Sequence, residues 1–449
     1  MAKKKRPKSR VNTVPFVLIA LFIAVVGMAT WYLFFSEEER PAKTESTTGV
    51  VVVTGVPEAL KRDESAAEDE SDEKDDSDTD GIIRPDGTVD VTKVPHLYIY
   101  PLINDSRAFD VNYTSKDRVV VNNSNNFTTQ EFKVLLEKLY EADYMLVRLR
   151  DLVEETESPG GGVLITPRED LKLPEGKKPL ILTEDNVNYH HTTQNMGYAS
   201  KLIVRSGKIK CVYVNANGTE KIGNYDAVPI LEEFIERYPD FSYEGARMTL
   251  ALTGYNGVFG YRTDAAYQTG EGLTQLQKDW LSENPDFNYD EDVANAKEVA
   301  QALLSAGYEF ANKTWGDRIV GTSTLTDLKV DMEKWKTSVE PITGEVDTYV
   351  FAHDSDISDK PGEYLTTNEK FNYFTDEGYH YFCTGSPTVF GMEAYGTSYT
   401  WSCRYGLTPF NVREWNRSEP ATSIMNALGL AQMGGYYDAD RTGDYVYLS

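Results

Sequence analysis

The stretch KPLILTEDNVNY (residues 178–189) decides the fold of this chain. Its first half predicts a buried strand over 178–183, because strands that are covered on both faces have continuous apolar sequences. Its second half turns polar at once, since Glu184, Asp185 and Asn186 follow the apolar run. A buried strand that ends in acidic and amide side chains is typical of α/β proteins whose functional groups follow the strands.

Strand-like and helix-like segments alternate on both sides of this stretch. Apolar runs predict further strands over 94–103, 144–149, 248–254, 308–312, 346–352 and 379–385. Apolar residues at helical spacing predict helices over 128–144, 227–238, 291–307 and 368–378. This order predicts an α/β fold with a parallel sheet covered by helices. Six or more such units in roughly 350 residues favour a closed or partly closed barrel.

Two segments depart from this alternation. Residues 200–224 predict a β-hairpin insertion, with turns at Ser206-Gly207 and Asn217-Gly218. The stretch from Thr384 onward is rich in Tyr, Gly and Ser and is hard to interpret in structural or functional terms.

The amino-terminal segment has the pattern of a membrane anchor. Residues 14–35 are 22 residues without a charge, which is long enough to cross a hydrocarbon core about 30 Å thick. Six Lys or Arg residues precede them, so the positive-inside rule places residues 1–13 in the cytoplasm and the rest of the chain outside. A cleaved signal peptide is the alternative, with small residues around Gly27-Met28-Ala29. The apolar run continues through Phe35, which favours an uncleaved anchor.

An acidic linker is predicted over 36–92, followed by one domain over 93–449. Residues 63–80 hold eleven acidic side chains against one Lys, and such a composition is typical of disordered segments. The net charge of −26 makes nucleic acid an improbable partner.

The three cysteines are Cys211, Cys383 and Cys403, and none of them forms a CxxC pair. This spacing excludes a structural zinc knuckle. Outside the cytoplasm a Cys383–Cys403 disulfide and three buried thiols are both open alternatives.

Candidate site residues follow the predicted strands, because active groups of α/β barrels cluster at the carboxyl ends of the strands. Beyond the polar residues after 178–183, these segments are 313–317, 353–356 and 255–262. The five His residues form no HExxH or HxxxH motif, so no common zinc motif is present.

These segments resemble the polysaccharide deacetylase (NodB-homology) family, and most closely a membrane-anchored branch found in Firmicutes-like bacteria. The resemblance spans 94–382 and is carried by VPHLYIYPLI, TTQEFKVLLEKLY, LPEGKKPLILTEDNVNY, ALTGYNGVFGYRT and ALLSAGYEFANKTWGD. It implies a distorted (β/α) barrel of the polysaccharide deacetylase type. It also implies metal-assisted hydrolysis of acetyl groups on a glycan such as peptidoglycan or another N-acetylated polysaccharide.

The metal motifs of that family are altered in this chain. In that family, a Thr-Phe-Asp-Asp-type motif supplies the catalytic base from its first Asp and a metal ligand from its second. Asp185 matches the base, but Asn186 stands at the ligand position. Its His-Ser/Thr-x-x-His-type motif supplies two more ligands, and here Lys313 and Asp317 stand in their places. Lys is protonated near neutral pH and an Asn carbonyl is a weak zinc ligand, so we expect no metal cofactor and a catalytically impaired site.

Two hypotheses describe what replaces the metal. In the first, the Lys313 ammonium pairs with Asp185 and Asp317, because carboxylates buried without a cation are costly; the alternative is that Lys313 points into solvent. In the second, Asp185, Asp317, His353 and Asp354 form a rebuilt site with oxygen-rich ligands for manganese or magnesium. A rebuilt site would make zinc or manganese a cofactor after all.

Six residues are predicted to bind substrate, because aromatic faces suit sugar rings and polar groups suit their hydroxyls. They are Tyr189, Tyr255, Asn256, Arg262, Trp315 and His353. The aromatic residues among them have a second interpretation as core residues. Three functions follow: a glycan-binding protein that has lost hydrolysis, an active deacetylase with a rebuilt metal site, and a cell-envelope scaffold.

Overall fold

The fold was analysed in a computed structural model that describes residues 81–159, 161–386, 391–394, 397–414, 424–426, 428–430 and 441. Within these ranges no helix has the length and apolar character needed to cross a membrane. The predicted tail 1–13, the predicted anchor 14–35 and the predicted linker up to residue 80 lie outside them.

Seven parallel strands close into a barrel, as the alternating sequence predicts. They are β1 (His96–Ile99), β5 (Lys178–Asp185), β9 (Thr249–Leu252), β10 (Glu309–Asn312), β11 (Thr348–Val350), β12 (Tyr381–Ser386) and β14 (Thr400–Gly406). Their order around the barrel is β1-β14-β12-β11-β10-β9-β5. The barrel closes because β5 also pairs with β1, with His96 opposite Ile181 and Ile99 opposite Glu184.

Further strands lie outside this ring. Strand β2 (Tyr144–Leu146) pairs with the start of β5, and β13 (Gly391–Ala394) runs antiparallel to β14. Strands β3 (Val153–Glu157) and β4 (Val163–Pro167) form a hairpin of their own. The predicted insertion at 200–224 is an antiparallel sheet of β6 (Ala199–Arg205), β7 (Lys208–Val214) and β8 (Glu220–Gly223).

Helices cover the outside of the barrel. Among the described residues they are α1 (Lys116–Asn125), α2 (Thr129–Glu141), α3 (Ala227–Arg237), α4 (Ala265–Thr269), α5 (Gln275–Glu283), α6 (Tyr289–Ala306), α7 (Leu325–Ser338), α8 (Glu340–Thr343), α9 (Glu369–Asp376) and α10 (Pro409–Glu414). Thr128 and Glu131 form a capping box at the start of α2. Gly307 ends α6 at a φ of 105°, a conformation that glycine adopts without strain.

The inside of the barrel is partly polar. The two ring nitrogens of His96 lie 2.7 Å from the hydroxyls of Ser402 and Thr183. Side chains of a strand alternate between its two faces, so the next inward positions toward the carboxyl ends are those of Asp185 and Arg404. Both of these side chains are buried.

The opposite end of the barrel is closed by the segment that leads into β1. Ile82, Val89 and Val91 are buried in a cluster with Leu152 and Ile165. The predicted boundary at residue 93 is therefore too late. Residues 82–91 belong to the packed domain because their apolar side chains cover the lower end of the barrel.

Strand β14 lies in the region that the sequence leaves uninterpreted, yet it pairs with both β1 and β12. The register of β12 and β14 also bears on the predicted disulfide between Cys383 and Cys403. Cys383 lies opposite Ser402 and Thr384 lies opposite Cys403, so the two cysteines point to opposite faces of the sheet. All three cysteines are buried.

A pair of buried acids lies between β5 and the start of α3. Asp226 accepts hydrogen bonds from the backbone nitrogens of Ala227 (2.9 Å) and Leu102 (2.8 Å) and thereby caps α3. Glu184 is fully buried, and its carboxyl group shares a side-chain hydrogen bond with Asp226. Burial, and then the neighbouring Asp226, raise the pKa of Glu184 well above its usual value.

We predict that Glu184→Gln stabilises the protein at neutral pH. The unfolded chain releases the Glu184 proton near pH 4.3, whereas the folded chain keeps it to a higher pH. The folded state therefore binds more protons, and stability falls as pH rises from about 4 toward the raised pKa. Urea unfolding at pH 4 and pH 7 measures this effect. Glu184→Gln should flatten the fall, while Glu283→Gln on the surface should not. A Glu184→Gln variant that is less stable at both pH values would contradict the prediction.

Candidate functional site

The loops at the carboxyl ends of the strands bring the predicted site residues together. Several of these loops contain non-glycine residues with left-handed backbones: Asn186 (φ 65°), Thr314 (φ 65°), Asp317 (φ 52°) and His353 (φ 57°). Such conformations cost free energy and persist where the surrounding structure fixes them. Their concentration at one end of the barrel indicates a site whose side-chain positions are tightly determined.

Lys313 lies at the centre of this end of the barrel. Its side chain is buried, and Nζ donates hydrogen bonds to Asn186 Oδ1 (3.1 Å) and Asp317 Oδ1 (3.0 Å). The same ammonium lies 3.9 Å from Asp185 Oδ2. Lys313 therefore pairs with both carboxylates, as the first hypothesis predicts, and does not point into solvent.

Arg404 provides a second buried cation that sequence reasoning missed. Its Nη1 donates to Asp185 Oδ1 (2.7 Å) and its Nη2 to Asp185 Oδ2 (3.3 Å). The guanidinium also lies 4.6 Å from the centre of the Tyr98 ring. A two-pronged contact of this kind fixes the carboxylate in position as well as neutralising it. The only signal in the sequence is an Arg within the strand-like stretch TWSCRYG.

The pKa values follow from these contacts. Burial alone would lower the pKa of Lys313, but Asp317 and then Asp185 outweigh it, so the pKa lies above its usual value. Burial alone would raise the pKa of Asp317, but Lys313 and His353 hold it well below its usual range. Both groups are therefore charged across the physiological range of pH.

The donor set does not fit a divalent metal. In the described part of the chain, no group of three or more His, Cys, Asp or Glu side chains is arranged to hold a metal ion. Lys313 stands at one of the three positions where the resembled family has metal ligands, and its ammonium bonds to the side chains at the other two, Asn186 and Asp317. A dication at this place would therefore meet the fixed positive charge of Lys313.

The predicted rebuilt site does not assemble either. His353 Nε2 lies 3.4 Å from Asp317 Oδ2, but Asp185 is held by Arg404, and Asp354 accepts a hydrogen bond from the Tyr98 hydroxyl (3.2 Å).

The structure divides the six predicted substrate residues into two groups. Tyr255 and Trp315 are half-buried and their ring centres lie 6.5 Å apart, while His353 is exposed. The Tyr255 hydroxyl also lies 2.9 Å from Nδ1 of His190, which sequence reasoning did not include. All three predicted residues of this group follow barrel strands, and His353 contacts Asp317 of the charged centre.

The other three residues are buried beneath the loops. Asn256 Oδ1 accepts a hydrogen bond from Gln277 Nε2 (3.0 Å). Arg262 Nη1 donates to the backbone oxygens of Tyr189 (3.1 Å) and Asn256 (3.3 Å). Tyr189 is 4% exposed. Through its two hydrogen bonds, the Arg262 side chain joins the loops after β5 and β9.

Comparisons with protein-family models and with curated protein sequences gave no match for this chain. Among solved structures, the chain is similar to a deacetylase from Streptococcus pyogenes in complex with acetate, at 12% identity and a TM-score of 0.37. That match covers 75% of this chain and 98% of the other. A polysaccharide deacetylase from Bacillus cereus matches at 13% identity and a TM-score of 0.36, over 75% of this chain and 69% of the other. A likeness at this level identifies neither the family nor the chemistry of the chain.

We predict that Lys313→Met destabilises the protein by about 3–5 kcal/mol, because removing one partner of a buried ion pair leaves the other charge uncompensated. Lys208→Met is the matched control. Lys208 bonds to Glu236 at 2.6 Å, but both side chains are more than half exposed, and exposed pairs contribute little. Chemical denaturation at pH 7 measures both variants. Equal stability of the two variants would contradict the burial of a charged Lys313.

Proposed function

We propose that this chain is a deacetylase-like protein that binds a cell-wall or surface glycan without hydrolysing it. The observation that carries the proposal is the Lys313 ammonium, which bonds to Asn186 and Asp317 at 3.1 and 3.0 Å. These are the positions at which the resembled family has metal ligands. The Lys313 ammonium, a fixed cation of the protein, thus stands where that family binds an exchangeable metal ion.

The state of Asp185 supports the loss of hydrolysis. A general base must be within reach of the proton that it removes and free to accept it. Here both carboxyl oxygens of Asp185 face cations, with Arg404 at 2.7 and 3.3 Å and Lys313 at 3.9 Å. These contacts engage both oxygens of the carboxylate that the resembled family uses as its base, which supports the loss of hydrolysis.

The surroundings of the charged centre support glycan binding. Tyr255 and Trp315 offer half-buried aromatic rings, and sugar rings stack on such faces. His353 and Asp317 offer polar groups for hydroxyls and acetamide groups beside them. We take the partner to be peptidoglycan or another N-acetylated polysaccharide.

We further propose that residues 14–35 anchor the protein in the membrane and that the barrel lies outside the cytoplasm. The 22 uncharged residues and the six basic residues before them support this arrangement. We expect the full chain to stay in the membrane fraction after washing with alkaline carbonate, and the barrel to be cleaved by protease added outside intact cells. Release by carbonate, or protection from external protease, would contradict the anchor.

The main test compares the purified full chain with one triple variant, Asn186→Asp, Lys313→His and Asp317→His. This variant restores the Asp and the two His that the resembled family uses as metal ligands. Zinc and manganese binding are measured by calorimetry, and acetate release is measured on N-acetylglucosamine oligomers. We expect no metal binding and no acetate release by the natural chain, because the Lys313 charge opposes a dication. The restored variant should bind zinc, because the side chains at 186 and 317 both reach the side chain at 313 in the natural chain and two His with one carboxylate form a common catalytic zinc site.

Metal binding with acetate release by the natural chain would overturn the proposal and favour an active deacetylase. Binding of the oligomers is measured in the same samples. Oligomer binding without acetate release supports the proposal, and it should weaken in Trp315→Ala. If no N-acetylated glycan binds, the glycan-binding part fails and a scaffold function replaces it.

A further inference from the structure

Arg262 differs from the other buried arginines of the described structure. Arg107, Arg404 and Arg441 each pair with a carboxylate, at 2.7 Å to Asp105, 2.7 Å to Asp185 and 2.5 Å to Glu131. Arg262 is 5% exposed and forms no ion pair with any described carboxylate. Buried charges are normally paired, so this arginine lacks the partner that the other three have.

The contacts of Arg262 leave part of its guanidinium unused. Nη1 donates to the two backbone oxygens of Tyr189 and Asn256, at 3.1 and 3.3 Å. The group lies over the ring of Trp280, 5.6 Å from its centre. Nε is buried and has no hydrogen-bond partner. The carboxylate of Asp292 accepts from the backbone nitrogen of Arg262 (2.7 Å) and does not pair with its side chain.

A second unpartnered polar group lies against the same aromatic ring. The His191 ring centre is 5.2 Å from that of Trp280, and its Nδ1 is buried without a hydrogen bond. Its Nε2 lies 2.5 Å from the Tyr267 hydroxyl. Burial, and then the charge of Arg262, lower the pKa of His191 to about 3, so its ring is neutral at physiological pH. Arg262 is therefore the charged group of this cluster, and the nearby Asp292 carboxylate acts on it without forming an ion pair.

We propose that Arg262 is a binding site for a carboxylate group, which supplies the ion-pair partner that no described carboxylate of the chain provides. The planar guanidinium suits a carboxylate, because its parallel N–H groups match the two oxygens. One source is a free carboxylate such as acetate. The other is an acidic sugar within the proposed glycan, and this source rests on the proposed function.

Access to Arg262 runs past helix α5, which carries Trp280. Of the nine residues of this helix only Gln277 is buried, and Leu276 is 46% exposed. A helix with so little buried surface opens at low free-energy cost. We expect a carboxylate to reach the guanidinium through a local opening of this helix, which does not belong to the barrel sheet.

The test uses the full chain and calorimetry with three probes: sodium acetate, a hyaluronan tetrasaccharide that carries glucuronate, and neutral chitotetraose. Sodium chloride at equal ionic strength serves as the reference. We expect the natural chain to bind a carboxylate probe, and Arg262→Met to weaken that binding about tenfold or more, since hydrogen bonds to charged groups are the strong ones. Arg205→Met, an exposed arginine with the same change of charge, should bind like the natural chain.

Each outcome decides the proposal. Binding of hyaluronan but not acetate, lost in Arg262→Met, supports a site for an acidic sugar, and binding of acetate supports a site for the free anion. No carboxylate binding by the natural chain, or binding that Arg262→Met leaves unchanged, overturns the proposal. Should Arg262→Met fail to fold, Arg262→Lys replaces it, since it keeps the charge but loses the planar group. Chitotetraose binding tests the proposed function separately, because a neutral probe does not need Arg262.

Discussion

The pairing of Asp185 with two buried cations is the interaction on which this end of the barrel depends. Asp185 ends β5 and points into the barrel, where an unpaired carboxylate would be costly. Arg404 meets it from β14 at 2.7 Å and Lys313 from the loop after β10 at 3.9 Å. Strand β14 also completes the ring between β1 and β12. This last barrel strand therefore both fills the ring of strands and carries Arg404, the cation that pairs with Asp185. The neutralisation of Asp185 and the completion of the barrel therefore both depend on the pairing of β14 with its neighbouring strands.

Sequence reasoning was sufficient for six of the seven barrel strands and for part of the charged centre. Each barrel strand up to β12 has an apolar core followed by polar residues, so its position and the site after it are readable locally. Lys313 and Asp317 are four residues apart in one loop, which makes their pairing predictable. Arg404 is 219 residues from Asp185, and no local pattern joins them. The region from Thr384 lacks the regular apolar runs that made the earlier strands visible, so the seventh strand was missed with its arginine.

The substrate residues show a different limit of sequence reasoning. Tyr255, Trp315 and His353 are half-buried or exposed in the loops after the strands, whereas Tyr189, Asn256 and Arg262 lie in the same kinds of loop but are buried. Composition does not separate these groups, because the direction of each side chain depends on backbone conformation. Tyr189 (φ 50°) and Asn256 (φ 69°) both have left-handed backbones, which few sequences signal unless glycine is present. The backbone oxygens of both residues accept hydrogen bonds from the buried Arg262 side chain, which fixes the strained loop segments in place.

An ammonium and a dication can neutralise the same carboxylates, but they leave different chemistry behind. A catalytic metal keeps an open position at which a carbonyl or a water can bind. An ammonium has three donors and no further coordination position. Two of the Lys313 donors are used by Asn186 and Asp317, and Asp185 lies near the third. In the function proposed above, the Lys313 ammonium thus supplies the charge balance that the buried carboxylates need and leaves no open position for hydrolysis.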